Sequence, residues 1–141
     1  MRAPDAVFAD PRLAALYDFF DGDRSDLTAY LDLAVELGAR WVVDLGCGTG
    51  SLAVLLAAQG LQVIGVDPAA ASLEVARVKP SADRVRWVHG DATALDVSDR
   101  PVDLVVMIGN VAQVFVDDED WHTTLGCART WLGEGGWLVF E

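Results

Sequence analysis

The chain is 141 residues long and 52% apolar, with a net charge of −12 from ten Lys and Arg against 22 Asp and Glu. That length favours one domain with its own core, and the acidic balance disfavours nucleic acid as a partner. No apolar run nears the roughly 20 residues of a membrane span, and the first residues lack the apolar stretch of a secretory signal, so a cytoplasmic location with no membrane partner is expected.

Asp10 followed by Pro11 predicts a helix over 10–20, with the acid as N-cap and the proline in the first turn. A second helix is predicted over 25–38, with Ser25 as cap, Leu27, Leu31, Ala34 and Val35 on one apolar face, and Gly38 as the stop. Residues 41–46 read as a buried strand, 51–60 as a helix, 61–67 as a second strand and 69–79 as a helix ended by Pro80. Residues 85–91 and 101–109 read as two further strands. The acidic run Asp117, Asp118, Glu119 and Asp120 opens a helix that glycines end near 136, and 136–141 reads as a fifth strand. Strands apolar on both faces, alternating with helical crossovers, predict a doubly wound α/β fold with a parallel sheet. The whole of 1–141 is taken as one domain, with its N-terminal helices at about 10–38. Ligands of such sheets bind at the carboxyl ends of the strands.

The run Asp44-Leu45-Gly46-Cys47-Gly48-Thr49-Gly50 follows a strand and opens a helix. Glycines let a backbone approach a ligand closely, and the helix start offers free N–H groups. Asp67 ends the next strand, 21 positions after Gly46, about the spacing at which an acid binds a ribose. Alone, Asp67 could equally be an N-cap; beside the glycine loop it reads as a ribose ligand. The glycines run G-x-G-x-G rather than the G-x-G-x-x-G of dinucleotide binders, with Ser at 51. Asp44 would repel a pyrophosphate and suit an ammonium, which favours S-adenosylmethionine over NAD.

The segments VVDLGCGTG (42–50), VIGVDPA (63–69), HGDAT (89–93), VDLVVMIGNVAQVF (102–115) and GEGGWLVFE (133–141) together resemble the class I S-adenosylmethionine-dependent methyltransferases of small molecules. The resemblance implies a Rossmann-like sheet of five strands in the order 3-2-1-4-5, without the family's sixth and seventh strands. It implies S-adenosylmethionine as cofactor and methyl transfer to a small-molecule acceptor. Gly46, Gly48 and Gly50, with Cys47 inside the loop, would shape the methionine pocket, and Asp44 would order the loop beneath it. Asp67 would hold the ribose, Pro68 and Ala69 would lie against the adenine, and Asp91 and Ala92 would bind its polar edge. Ile108, Gly109 and Asn110 would flank the sulfonium, and Tyr17 would sit in a helix folded over the cofactor. The resemblance identifies no general base. A fifth strand left at the sheet edge predicts self-association through that edge. The rival readings are a cofactor-binding module without catalysis and an NAD-dependent oxidoreductase.

Cys47 and Cys127 lack metal-ligand spacing and are expected to be reduced thiols; no metal site is expected. His89 is read as strand-end packing and His122 as solvent-facing.

Overall fold

Short runs of Val and Ile, with Leu among them, build the centre of the molecule; the β-branched Val and Ile pack well on a pleated surface. The computed structural model describes residues 3–141; Met1 and Arg2, which the expected domain range takes in, lie outside it. Five strands, β1 (Trp41–Leu45), β2 (Gln62–Asp67), β3 (Val85–His89), β4 (Val102–Met107) and β5 (Leu132–Phe140), form one sheet in the order β3-β2-β1-β4-β5. All pairings are parallel. The helices are α1 (Ala6–Ala9), α2 (Pro11–Asp21), α3 (Leu27–Glu36), α4 (Ser51–Ala58), α5 (Ala70–Arg77) and α6 (Asp118–Trp131). This is the Rossmann-like doubly wound sheet that the sequence implies.

Alternation along β1 sends Val42 and Asp44 to one face and Val43 and Leu45 to the other. On the first face Val42 joins Leu27, Ala34, Leu52, Leu56 and Leu104. On the second, Val43 and Leu45 join Ile64, Val105, Met107 and Trp131. Fully burying each such side chain stabilises the fold by roughly 1.5–3 kcal/mol. No helix among the described residues is long and apolar enough to cross a membrane.

Asp10 caps α2 through the Arg12 N–H at 2.9 Å, with Pro11 in the first turn. Three local details differ from expectation. Ser25 does not cap α3: its N–H and hydroxyl are held by Asp23 at 3.0 and 3.1 Å, and Asp26 stands at the N-cap with its carboxylate turned to Arg24 instead of the helix N–H groups. Val35 is 68% exposed, because the face α3 buries is narrow and centres on Leu27 and Ala34. β5 begins at Leu132 rather than at 136: Leu132 pairs with Val102, an irregular stretch follows, and pairing resumes at Trp137 opposite Leu104. The glycines near 133–136 thus sit within the strand instead of ending the helix.

Candidate functional site

The carboxyl ends of the central strands converge on a cavity of about 380 Å³. The glycine loop between β1 and α4 forms its floor. Gly46 and Cys47 both donate to the Val66 carbonyl, at 2.8 and 3.1 Å, so the loop is pinned to the end of β2. Gly48 N–H donates to Asp67 Oδ2 at 2.7 Å, and Ala69 N–H donates to Oδ1 of the same acid at 2.8 Å. Asp67, 7% exposed, therefore joins the two loops whose sequences pointed to one ligand.

The three loop glycines meet three different demands. A Cβ on Gly46 would lie 2.6 Å from a Val111 methyl. A Cβ on Gly50, whose φ is +77°, would lie 2.5 Å from the Trp87 ring and 2.8 Å from Ala76. A Cβ on Gly48 would meet nothing within 4 Å. Gly48 is the one of the three that faces open space and also lines the cavity, whereas Gly50 serves packing and is not part of the lining.

Asp44 lies beneath this loop at 1% exposure. Burial, then the nearby charge of Asp67, pushes its acid up from 3.8 to about 7, opposed by the Ala53 N–H bond. Among the described residues, Asp44 Oδ1 is the one buried side-chain oxygen or nitrogen without a hydrogen-bond partner. A buried acceptor left unpaired costs about 1–3 kcal/mol, so the site calls for a donor. Burial also raises the Asp67 acid, against the two N–H bonds it accepts. The Cys47 thiol is driven well up by burial and by both acids, which leaves it a packing group rather than a nucleophile. Both cysteines are free thiols.

Asp91 ends the turn after β3 and accepts from Thr93 N–H at 2.9 Å on Oδ1. Pro68, Asp91 and Ala92 line the cavity beside Asp67. His89 is held away from it, its Nε2 3.0 Å from the Pro68 carbonyl oxygen, and it does not line the cavity. After β4 the chain passes through two successive left-handed residues, Gly109 at φ +68° and Asn110 at φ +64°. Ile108 and Gly109 line the cavity; Asn110 is exposed outside it and accepts from Gln113 at 3.1 Å. Glu141 fixes this loop, accepting from Gly109 N–H at 2.7 Å and from the Tyr30 hydroxyl. Those bonds pull the Glu141 acid down and push Tyr30 up to about 12.

Tyr17 lines the opposite wall, its ring 5.2 Å from that of Phe8 between centroids. Desolvation, then the charge of Asp21, raises the pKa of its hydroxyl above the ordinary phenol value. Sequence reasoning missed Phe8, Arg24, Thr49, Val111 and Phe115, all in the lining. Thr49, Val111 and Phe115 lie inside segments already singled out by resemblance. Nothing local marks Phe8 or Arg24.

The sequence family described as "Methyltransferase domain" matches residues 42–136. A demethylmenaquinone methyltransferase of Thermus thermophilus is 37% identical over 113 residues, which covers 77% of this chain and 50% of that protein. The chain thus spans about half the length of the curated relatives it matches. Among solved structures, the CcbJ methyltransferase of Streptomyces caelestis is similar over 97% of this chain and 58% of its own, at 26% identity and a TM-score of 0.82. A TehB-like SAM-dependent methyltransferase of Corynebacterium glutamicum is similar over 93% of this chain and 73% of its own, at 28% identity and a TM-score of 0.74. The oxidoreductase reading has no support in these relatives. Family match, strand order and a glycine loop clasped by the acid that ends β2 agree, and the chain belongs to the class I S-adenosylmethionine-dependent methyltransferases.

Proposed function

We propose that this protein transfers a methyl group from S-adenosylmethionine to a small-molecule acceptor. The observation that carries the reading is the unpaired Oδ1 of Asp44 beneath a glycine loop that leaves open space at Gly48. An ammonium above that loop would supply the missing donor and offset the buried charge. Asp67 already spends one lone pair of each oxygen on backbone, which leaves its outward lone pairs for a ribose diol. Pro68 and Ala69 would support the adenine, and Asp91 with the Ala92 backbone would read its polar edge. Gly46 and Cys47 would complete the methionine wall. Gly50 and Asn110 act at one remove, by packing the loop and by shaping the turn after β4.

When bound, S-adenosylmethionine supplies an electrophilic methyl group on a positively charged sulfur. The chain's own part is to hold the acceptor in line with that methyl and to exclude water. Ile108 and Gly109, fixed by Glu141, and Tyr17 from the opposite wall would border the reacting atoms. The curated relatives named demethylmenaquinone methyltransferases support a small-molecule acceptor. The charge of −12 makes a polyphosphate acceptor unfavourable. Reduced thiols at Cys47 and Cys127 fit a cytoplasmic setting.

Calorimetric titration with S-adenosylhomocysteine, with NAD as control, tests the cofactor. Binding of the first alone is expected; binding of NAD alone overturns the reading. A methyl-transfer assay with acceptor candidates then separates an active enzyme from a module that only binds cofactor.

Cofactor affinity is expected to depend on pH through Asp44. Its folded-state acid is weaker than its ordinary 3.8, so the proton it keeps stabilises the fold fully below about pH 4, and that contribution is lost as pH rises through about 7. An ammonium favours the ionised form, so binding strengthens over the upper part of the same window. Affinity for S-adenosylhomocysteine should rise about tenfold between roughly pH 5.5 and roughly pH 7.5, and Asp44→Asn should flatten the rise. A wild-type curve as flat as that of the variant would refute the role given to Asp44.

The outer edge of β5 pairs with no strand among the described residues, and Trp137 and Phe140 are 55% and 49% exposed there. We propose self-association through this edge. Sedimentation velocity should show a boundary that moves faster as protein concentration rises; one monomer boundary at every concentration rejects it.

A further inference from the structure

The N-terminal helices form one wall of the cavity, yet little apolar burial holds them. No residue of α1 is buried, Ala14 alone is buried in α2, and Leu13, Leu16, Phe19 and Phe20 of α2 are exposed. Helices with so small a buried face open at low free-energy cost. Their polar ties to the rest of the chain are therefore decisive. Ser72 donates to the Phe8 carbonyl at 2.9 Å, which docks α1 on α5. For α2 the tie is Asp18. Its Oδ1 accepts from the Thr49 hydroxyl in the glycine loop, and its Oδ2 is 2.5 Å from Lys79 Nζ beyond the end of α5. Lys79 Nζ also donates to Ser51 Oγ, the first residue of α4, at 3.2 Å. One carboxylate thus joins the wall helix, the glycine loop and the α5 terminus.

We infer that Asp18 is a positioning residue that latches α2 over the cavity, and that release of its bonds to Lys79 and Thr49 admits and discharges the cofactor. Tyr17 precedes it in sequence and lines the cavity with Phe8, so the latch decides whether that wall is in place. An ordinary exposed ion pair contributes little. This one differs, because the Lys79 side chain is only 19% exposed and the same acid is bonded by a buried threonine. Charge-assisted bonds of that kind are about twice as strong as neutral ones. The inference rests on the cofactor reading above, but the latch itself can be measured without ligand.

Two readouts on the whole chain test it. Hydrogen exchange of the amides of 12–21 in ligand-free protein should quicken about tenfold in Lys79→Met and in Asp18→Asn. In the wild type, added salt should quicken it toward the variant rate, because screening weakens the pair. Release of S-adenosylhomocysteine, followed by stopped flow, should be about fivefold faster in both variants. The charge exchange Asp18→Lys with Lys79→Asp should restore slow exchange and slow release, since the pair and the Thr49 and Ser51 contacts keep complementary partners. It also covers the case in which a single variant folds poorly. Unchanged exchange in α2, or faster exchange with unchanged release, overturns the inference. If the wild type binds no S-adenosylhomocysteine, the cofactor reading falls, while exchange in α2 still decides whether Asp18 holds the helix.

Discussion

Replacing Asp67 with Ala is expected to weaken S-adenosylhomocysteine binding by roughly 100-fold. Hydrogen bonds to a charged acceptor contribute about 1.5–3 kcal/mol each, and a ribose diol would make two of them. The variant also frees the N–H groups of Gly48 and Ala69, now held at 2.7 and 2.8 Å, so the glycine loop loses its clasp to the end of β2. A second effect separates this role from a general loss of structure. The charge of Asp67 helps to raise the Asp44 acid, so the variant should move the pH midpoint of cofactor binding below that of the wild type. Calorimetry across pH checks both effects. Wild-type affinity in a folded Asp67→Ala protein would remove Asp67 from the site.

The largest stability effect is expected at Gly50. Alanine there must adopt φ near +77° and place its Cβ 2.5 Å from the Trp87 ring and 2.8 Å from Ala76. The left-handed conformation costs about 1–2 kcal/mol for a side-chain-bearing residue, and overpacking costs about 1–3 kcal/mol more. Neither neighbour yields easily, since Ala76 is buried within α5 and the Trp87 Nε1 is held by the Ala82 carbonyl at 3.0 Å. A total of about 3 kcal/mol lowers the melting temperature of a chain this size by roughly 10 °C. Gly48→Ala provides the contrast. Its φ is +53° but its surroundings are open, so it should lose about 1 kcal/mol of stability and more of its cofactor affinity, its new methyl standing at the cavity floor. Thermal denaturation of the two variants side by side checks the difference; equal losses would show that backbone conformation alone governs the loop.

Much of this was legible because the relevant signals are local. Val42, Val43, Val63, Ile64, Val105 and Val106 announce buried strands by themselves. Asp10 before Pro11 marks a helix start, and Asp67 stands a fixed distance beyond the glycines. The misses are long-range. Leu132 looks like the end of a helix before glycines, yet it pairs with Val102, and ladder pairing outweighs local turn chemistry. Gly50 carries a packing demand that the loop sequence does not show, since a Cβ there would strike the Trp87 ring, 37 residues later in the chain. Asp18 and Thr49, 31 residues apart, meet only because α2 folds back on the loop, and no periodicity encodes that. Val35 was misplaced because 3.6-residue spacing does not say how wide a face the neighbours will cover.

Asp44 carries a further meaning. Val42, its neighbour on that face of β1, obeys the rule of an apolar interior, and Asp44 breaks it. The conflict is local frustration left in place where the molecule works: a core that would be better satisfied by a neutral, apolar residue retains an acid. The empty protein is consequently less stable than its packing allows, and a ligand that brings a cation to Asp44 acts as part of the fold, raising stability as its concentration rises. Selection for thermal robustness alone would erase this acid first, and with it the grip on the cofactor.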